Sequence, residues 1–150
     1  MHHIPRILLV EDNPNDVELT MAAFEENSLA NEVFVVHDGE QALDYLYRRG
    51  DFRLRTEGNP ALILLDIKMP KIDGIEVLRA IKSDQNLMTI PVVMLTSSRE
   101  EQDLIETYKN GVNGYVVKPV DFQEFFDSVK QLGLFWAVIN EAPPGSIGRE

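Results

Sequence analysis

The chain has 150 residues, 44% of them hydrophobic and 26% charged, the balance of one ordinary globular domain and not of a disordered chain. Its net charge of −11 argues against a general nucleic-acid binder and against loose attachment to anionic lipid. It has no cysteine, which excludes disulfides, thiolate chemistry and cysteine-ligated metals, and no apolar run approaches the roughly 20 residues a bilayer span needs.

The first element is the strand "RILLV" at 6–10, which ends on Glu11 and Asp12. The apolar run is too short for a secretion signal and acids follow at once, so a cytoplasmic protein is expected. Asn13-Pro14 then opens a helix, with Asn13 suited to the N-cap and Pro14 to the first helical position. "VFVV" at 33–36 reads as the second strand. His37 behind it and the terminal His2-His3 pair make no ligand set. A second helix leads into "RRGDFRLRTEGNP" at 48–60, which carries Arg48, Arg49, Arg53 and Arg55. This stretch is expected to be a solvated loop, with docking of a partner protein as the sharper alternative.

The third run, "ALILL" at 61–65, delivers Asp66 where it stops, and Gly74, Val77, Leu78 and Ile81 follow at helical spacing. "VVML" at 92–95 ends on Thr96, and "YVV" at 115–117 ends on Lys118-Pro119. Asp121 is placed to cap a last helix whose apolar positions are Phe122, Phe125, Phe126, Val129 and Leu132. Short runs rich in Val, Ile and Leu, without polar alternation, are the mark of parallel strands covered on both faces. Alternation with helices gives (βα)5: an α/β, doubly wound, five-stranded parallel sheet with right-handed crossovers. The domain is expected to span 1–132, with 133–150 as an extension.

Ligands of open α/β sheets sit beyond the carboxyl ends of the strands. There the sequence places Glu11, Asp12, Asp66, Thr96 and Lys118. Each has a bland reading alone: Asp66 as a turn or cap, Glu11-Asp12 as a solvated strand end, Thr96 as part of a capping cluster, Lys118 as a surface charge. Their joint occurrence on four strand ends says more. Three crowded carboxylates need a compensating cation, and an all-oxygen donor set suits Mg²⁺ better than Zn²⁺. An ammonium and a hydroxyl beside them suit a phosphoryl group. No glycine-rich phosphate loop is present, so a nucleotide is not its obvious source.

"ILLVEDN", "LILLDIKMPKIDGIEVL", "PVVMLTSS" and "YVVKP" resemble the motif set of the receiver domains of two-component response regulators, from about Ile7 to Leu132. The resemblance implies a flavodoxin-like fold with strand order 2-1-3-4-5, the order of the chemotaxis receiver. It implies Asp66 as the phosphoacceptor, charged by a sensor histidine kinase. Asp12 and Asp66 then hold Mg²⁺, with Glu11 acting through the acidic pocket or a bound water and the Lys68 backbone carbonyl completing the set. Lys118 pairs with the phosphoryl oxygen, Thr96 donates to it, and Tyr115 is the switch aromatic. A plain core-edge tyrosine is the competing reading of Tyr115. A cis Lys118–Pro119 bond is implied as well.

No output domain is recognisable after residue 132, so the expected output is a protein contact, without nucleic acid or membrane. The 48–60 connection and "GLFWAVI" further resemble the stand-alone regulators that partner cyanobacterial and bacterial phytochromes, which implies a homodimer. Leu134, Phe135, Trp136, Val138 and Ile139 are costly to expose, at about 1.5–3 kcal/mol each. They either fold back on the domain or cover a partner subunit. Two other functions compete: a Mg²⁺-dependent phosphatase or phosphotransferase with Asp66 as nucleophile, and an adaptor that needs no phosphorylation.

Overall fold

The computed structural model describes residues 6–106 and 114–131. Five strands form one sheet: β1 (Ile7–Val10), β2 (Val33–Val36), β3 (Leu62–Asp66), β4 (Val92–Thr96) and β5 (Gly114–Val117). Helices α1 (Pro14–Glu26), α2 (Gly39–Tyr47), α3 (Gly74–Ser83), α4 (Arg99–Glu106) and α5 (Phe122–Gln131) connect and follow them. All four pairings are parallel and the order is β2-β1-β3-β4-β5, the doubly wound arrangement expected from the alternating pattern.

Every residue of β1, β3 and β4 is buried, because alternate side chains enter two separate cores. Leu8, Val10, Ile63 and Leu65 face α2 and α3, joined by Ile105 of α4. Ile7, Leu9, Leu62 and Leu64 face Phe24 of α1 and Phe125 of α5, whose rings meet edge-on at 4.8 Å. The edge strands differ from expectation. β2 is only partly covered, and Tyr115 and Val117 of β5 are 38% and 39% exposed. An edge strand has one neighbour and fewer covering helices, so an apolar run there need not be buried.

Side-chain caps fix where the helices begin. Asn13 Oδ1 accepts the amides of Asn15 and Asp16, and Asp38 Oδ1 accepts that of Gln41. Asp73 and Glu76 form a reciprocal capping box at the start of α3. Asp121 Oδ1 accepts the Gln123 amide.

The connection at 48–60 is not simply solvated. Arg55 is buried: its Nε donates to the Tyr45 carbonyl at 2.9 Å and its Nη1 to the carbonyls of Glu57 and Gly58. The guanidinium lies 4.1 Å from the centre of the Tyr45 ring, which stacks on Phe34 of β2. Arg48, Arg49 and Arg53 stay exposed. This connection enters β3 at Leu62, the opposite end of the strand from Asp66. Leu132 and the extension at 133–150, with the packing or dimerisation expected of it, lie outside the described residues.

Candidate functional site

The parallel register brings four strand ends to one edge. Val10 pairs with Leu65, Asp66 with Leu95, and Thr96 with Val117. The residues that follow therefore share one rim. An open cavity of about 430 Å³ lies there, lined by carboxylates, Lys68, Ser97 and Lys118.

Lys118 is the hub. Its Nζ donates to Glu11 Oε1 at 3.1 Å, to Asp16 Oδ2 at 3.0 Å and to Asp66 Oδ1 at 3.0 Å. The side chains of Glu11 and Asp66 are 0% and 5% exposed, so these pairs operate with little solvent screening. The Lys118 amide donates to the Thr96 carbonyl at 2.7 Å, and its peptide bond to Pro119 is cis.

One ammonium does not balance this site. Burial, then the Glu11 charge, pushes the Asp66 carboxyl from its ordinary 3.8 up to about 7, against the pull of Lys118. Burial alone lowers the Lys118 ammonium, but hydrogen bonds to Asp16 and Asp66 and the charges of Asp66 and Glu11 outweigh it and raise the group. Glu11, Asp12 and Asp66 each offer one oxygen, all within 4.8 Å of one another. Asp12 is the most open of the three. A hard-oxygen donor set with excess negative charge fits a divalent cation of the Mg²⁺ or Mn²⁺ type.

Thr96 is fully buried, and its Oγ1 meets no hydrogen-bond partner among the described residues. Such an atom needs a reason, because most buried hydroxyls are satisfied. The next two residues are held from α4. Glu101, 4% exposed, accepts the Ser97 amide at 2.8 Å and the Ser97 hydroxyl at 3.2 Å. Ser98 Oγ accepts the Glu101 amide at 3.2 Å. Lys68 Nζ stands 4.0 Å from Glu101 Oε2, with its side chain 77% exposed.

On the β3 side the backbone is packed tightly. The Gly74 amide donates to the Ile67 carbonyl at 2.7 Å. A Cβ at Gly74 would overlap the Asp66 carbonyl oxygen and lie 2.8 Å from the Ile67 Cα, so only glycine fits.

Glu11, Asp12, Asp66, Lys68 and Lys118 thus line one cavity, and Thr96 lies at the end of β4 beside it. Tyr115 does not line it; it sits on β5 across from Met94, with its ring partly in solvent. Sequence reasoning missed Asp16, the third partner of Lys118, and Glu101, the buried acceptor of Ser97. Asp16 reads as an ordinary first-turn acid of a helix. Glu101 follows Ser98 by three, a capping-box spacing that was the available signal.

The response regulator receiver domain model matches residues 7–130. The solved bacteriophytochrome response regulator RtBRR is 60% identical, with a TM-score of 0.83 over 96% of this chain and 87% of that one. The bacteriophytochrome response regulator AtBRR is 56% identical, with a TM-score of 0.84 over 93% of this chain and 100% of that one. The response regulator Rcp1 of Synechocystis sp. is 38% identical over 87% of this chain and 87% of its own length. The Mn²⁺-bound form of Rcp1 superposes with a TM-score of 0.69 at 34% identity, over 94% of this chain and 100% of that one.

Proposed function

Since this chain belongs to the response regulator receiver domain family, we propose that it is the phosphoryl-accepting switch of a two-component phosphorelay, with Asp66 as the acceptor. The observation that carries this reading is the buried Asp66 carboxylate, held by Lys118 beside Glu11 and Asp12 at the convergent strand ends. On this reading the Asp66 oxygen attacks the phosphorus of a phosphohistidine on a sensor kinase. A P–O bond forms as the P–N bond breaks, and the imidazole leaves with the electron pair. The likeness to RtBRR and AtBRR supports a bacterial phytochrome as that kinase, and we take a cytoplasmic homodimer as the working form.

Mg²⁺, held by Asp12, Asp66 and the Lys68 backbone carbonyl with Glu11 directly or through water, would offset the charge that crowds the acceptor. The chain's own residues do the rest. Lys118 is held cationic by its three carboxylates and takes a phosphoryl oxygen in place of Asp66 Oδ1. The Thr96 hydroxyl, buried without a partner, gains a phosphoryl oxygen to donate to. Its inward movement opens space into which Tyr115, exposed on β5, turns, so the face around α4, β5 and α5 changes shape. The chain is then a phosphoacceptor, not an enzyme with an external substrate.

Intact mass after incubation with acetyl phosphate tests this. One added phosphoryl group is expected with Mg²⁺, and none with EDTA or in Asp66→Asn. No gain under any condition refutes the reading in favour of an adaptor, and steady release of phosphate from small esters refutes it in favour of a phosphatase.

A further inference from the structure

Glu101 is a charged side chain that the phosphoacceptor chemistry does not use, yet it is almost fully buried at the edge of the acidic cavity. Among the described residues the cation it pairs with, Lys68, is at 4.0 Å and largely in solvent, so that pair is weak. What holds the carboxylate in place is the β4–α4 junction. Both of its oxygens take hydrogen bonds from Ser97, one from the backbone amide and one from the hydroxyl. Ser98 fixes the same turn by accepting the Glu101 amide. Ser97 directly follows Thr96, so an anchor on Ser97 restrains where the Thr96 hydroxyl can go. That hydroxyl is buried without a hydrogen-bond partner among the described residues.

We propose that Glu101 is a positioning residue that holds the switch in its unphosphorylated form by tethering Ser97 to the first turn of α4, in competition with the pull of the Asp66 phosphoryl group on Thr96. The proposal rests on the receiver reading above. Two physical effects act in the same direction. A charge-assisted hydrogen bond to a backbone amide is stronger than a neutral one, so the tether resists displacement. The carboxylate also lines the cavity that receives the phosphoryl charge, and like charges at that range repel. Glutamine keeps an acceptor for Ser97 but removes the charge; alanine removes both.

The test is a titration with beryllofluoride, which mimics the acyl phosphate, in saturating Mg²⁺. The full chain is used, read by the NMR shift of the Thr96 methyl group. Glu101→Ala is expected to reach half-saturation at about fivefold lower beryllofluoride, the lower end of ordinary coupling between sites. Glu101→Gln should fall between it and wild type, and Ser97→Ala, which loses only the hydroxyl contact, should shift slightly the same way. Removing the Glu101 charge should weaken Mg²⁺ binding equally in Glu101→Ala and Glu101→Gln, so the difference in beryllofluoride affinity between these two variants separates the tether from electrostatics in the pocket. The shift should persist in a Lys68→Ala background, because the route runs through Ser97.

If Glu101→Ala does not fold, Glu101→Gln and Ser97→Ala carry the test. Saturation of wild type with no lowering in any variant overturns the proposal while leaving the receiver reading intact. Failure of wild type itself to respond overturns both.

Discussion

Replacing Asp66 by asparagine should stabilise the metal-free protein, and the gain should grow with pH. The carboxyl titrates at its ordinary 3.8 in the unfolded chain and at about 7 in the folded one. The folded state therefore binds more protons across that window, and stability is lost as pH rises through it. At about 1.4 kcal/mol per pH unit the full window corresponds to about 4 kcal/mol, an upper bound because the buried Asp66 carboxyl interacts strongly with its charged neighbours. The assay is urea denaturation of wild type and Asp66→Asn in EDTA between pH 4 and pH 8. The variant-minus-wild-type difference removes the contribution of carboxyls remote from the site and leaves that of Asp66 with its coupled neighbours. It should rise with pH by a few kcal/mol and level off above about pH 8. Adding Mg²⁺ at pH 8 to about a hundred times its Kd should return about 2.7 kcal/mol to wild type, and much less to the variant. A difference that stays constant with pH, or that falls, refutes the argument that burial and Glu11 together destabilise the ionised acceptor.

Gly74→Ala should destabilise the fold by about 2 kcal/mol or more, because the new Cβ displaces the Asp66 backbone; thermal unfolding checks the loss and intact mass checks the slower phosphoryl uptake. Asp73→Ala removes one half of the α3 capping box and should cost about 1 kcal/mol in urea denaturation. Arg55→Lys cannot reproduce a fork that reaches the carbonyls of Tyr45, Glu57 and Gly58, and should cost about 2–3 kcal/mol by the same measurement. Its phosphoryl uptake should equal that of wild type, since the 48–60 connection meets β3 at the end away from Asp66.

The central fold was legible because β1, β3 and β4 lie between two helical layers, and a strand buried on both faces has no choice but to be apolar throughout. The rim was legible for a related reason: in a parallel sheet, the residue after each strand falls on one edge whatever the loops do. The same logic overreached at β2 and β5, where the composition is that of a core strand but, among the described residues, one side has no neighbouring strand. Arg55 was read by residue type as solvated, yet its planar fork matches three carbonyls and a tyrosine ring that sequence cannot bring together. Asp16 was hidden likewise, since its partner Lys118 lies 102 positions away and meets it only after the sheet forms. Glu101 carried a capping-box spacing, but nothing local says that the box grips the residue before the cap.

These contacts also argue for which half of the site moves. On the β3 side, Gly74 packs directly on the backbone of Asp66 and Ile67, so displacing the acceptor means displacing α3 from the core. On the β4 side, Thr96 is buried and its hydroxyl makes no hydrogen bond among the described residues, while its neighbour is held by contacts from a side chain of α4. An unpaired buried hydroxyl costs about 1–3 kcal/mol, which the resting state bears and a phosphoryl oxygen would relieve. The crowded Asp66 carboxylate is unfavourable in the same state, by the shift that takes it to about 7. On the proposed reading one event, a phosphoryl group arriving at Asp66 with a cation to balance it, would remove both penalties. The motion then falls at Thr96 and the start of α4, where Ser97 is tethered by polar contacts from Glu101, while the acceptor's backbone is close-packed against Gly74.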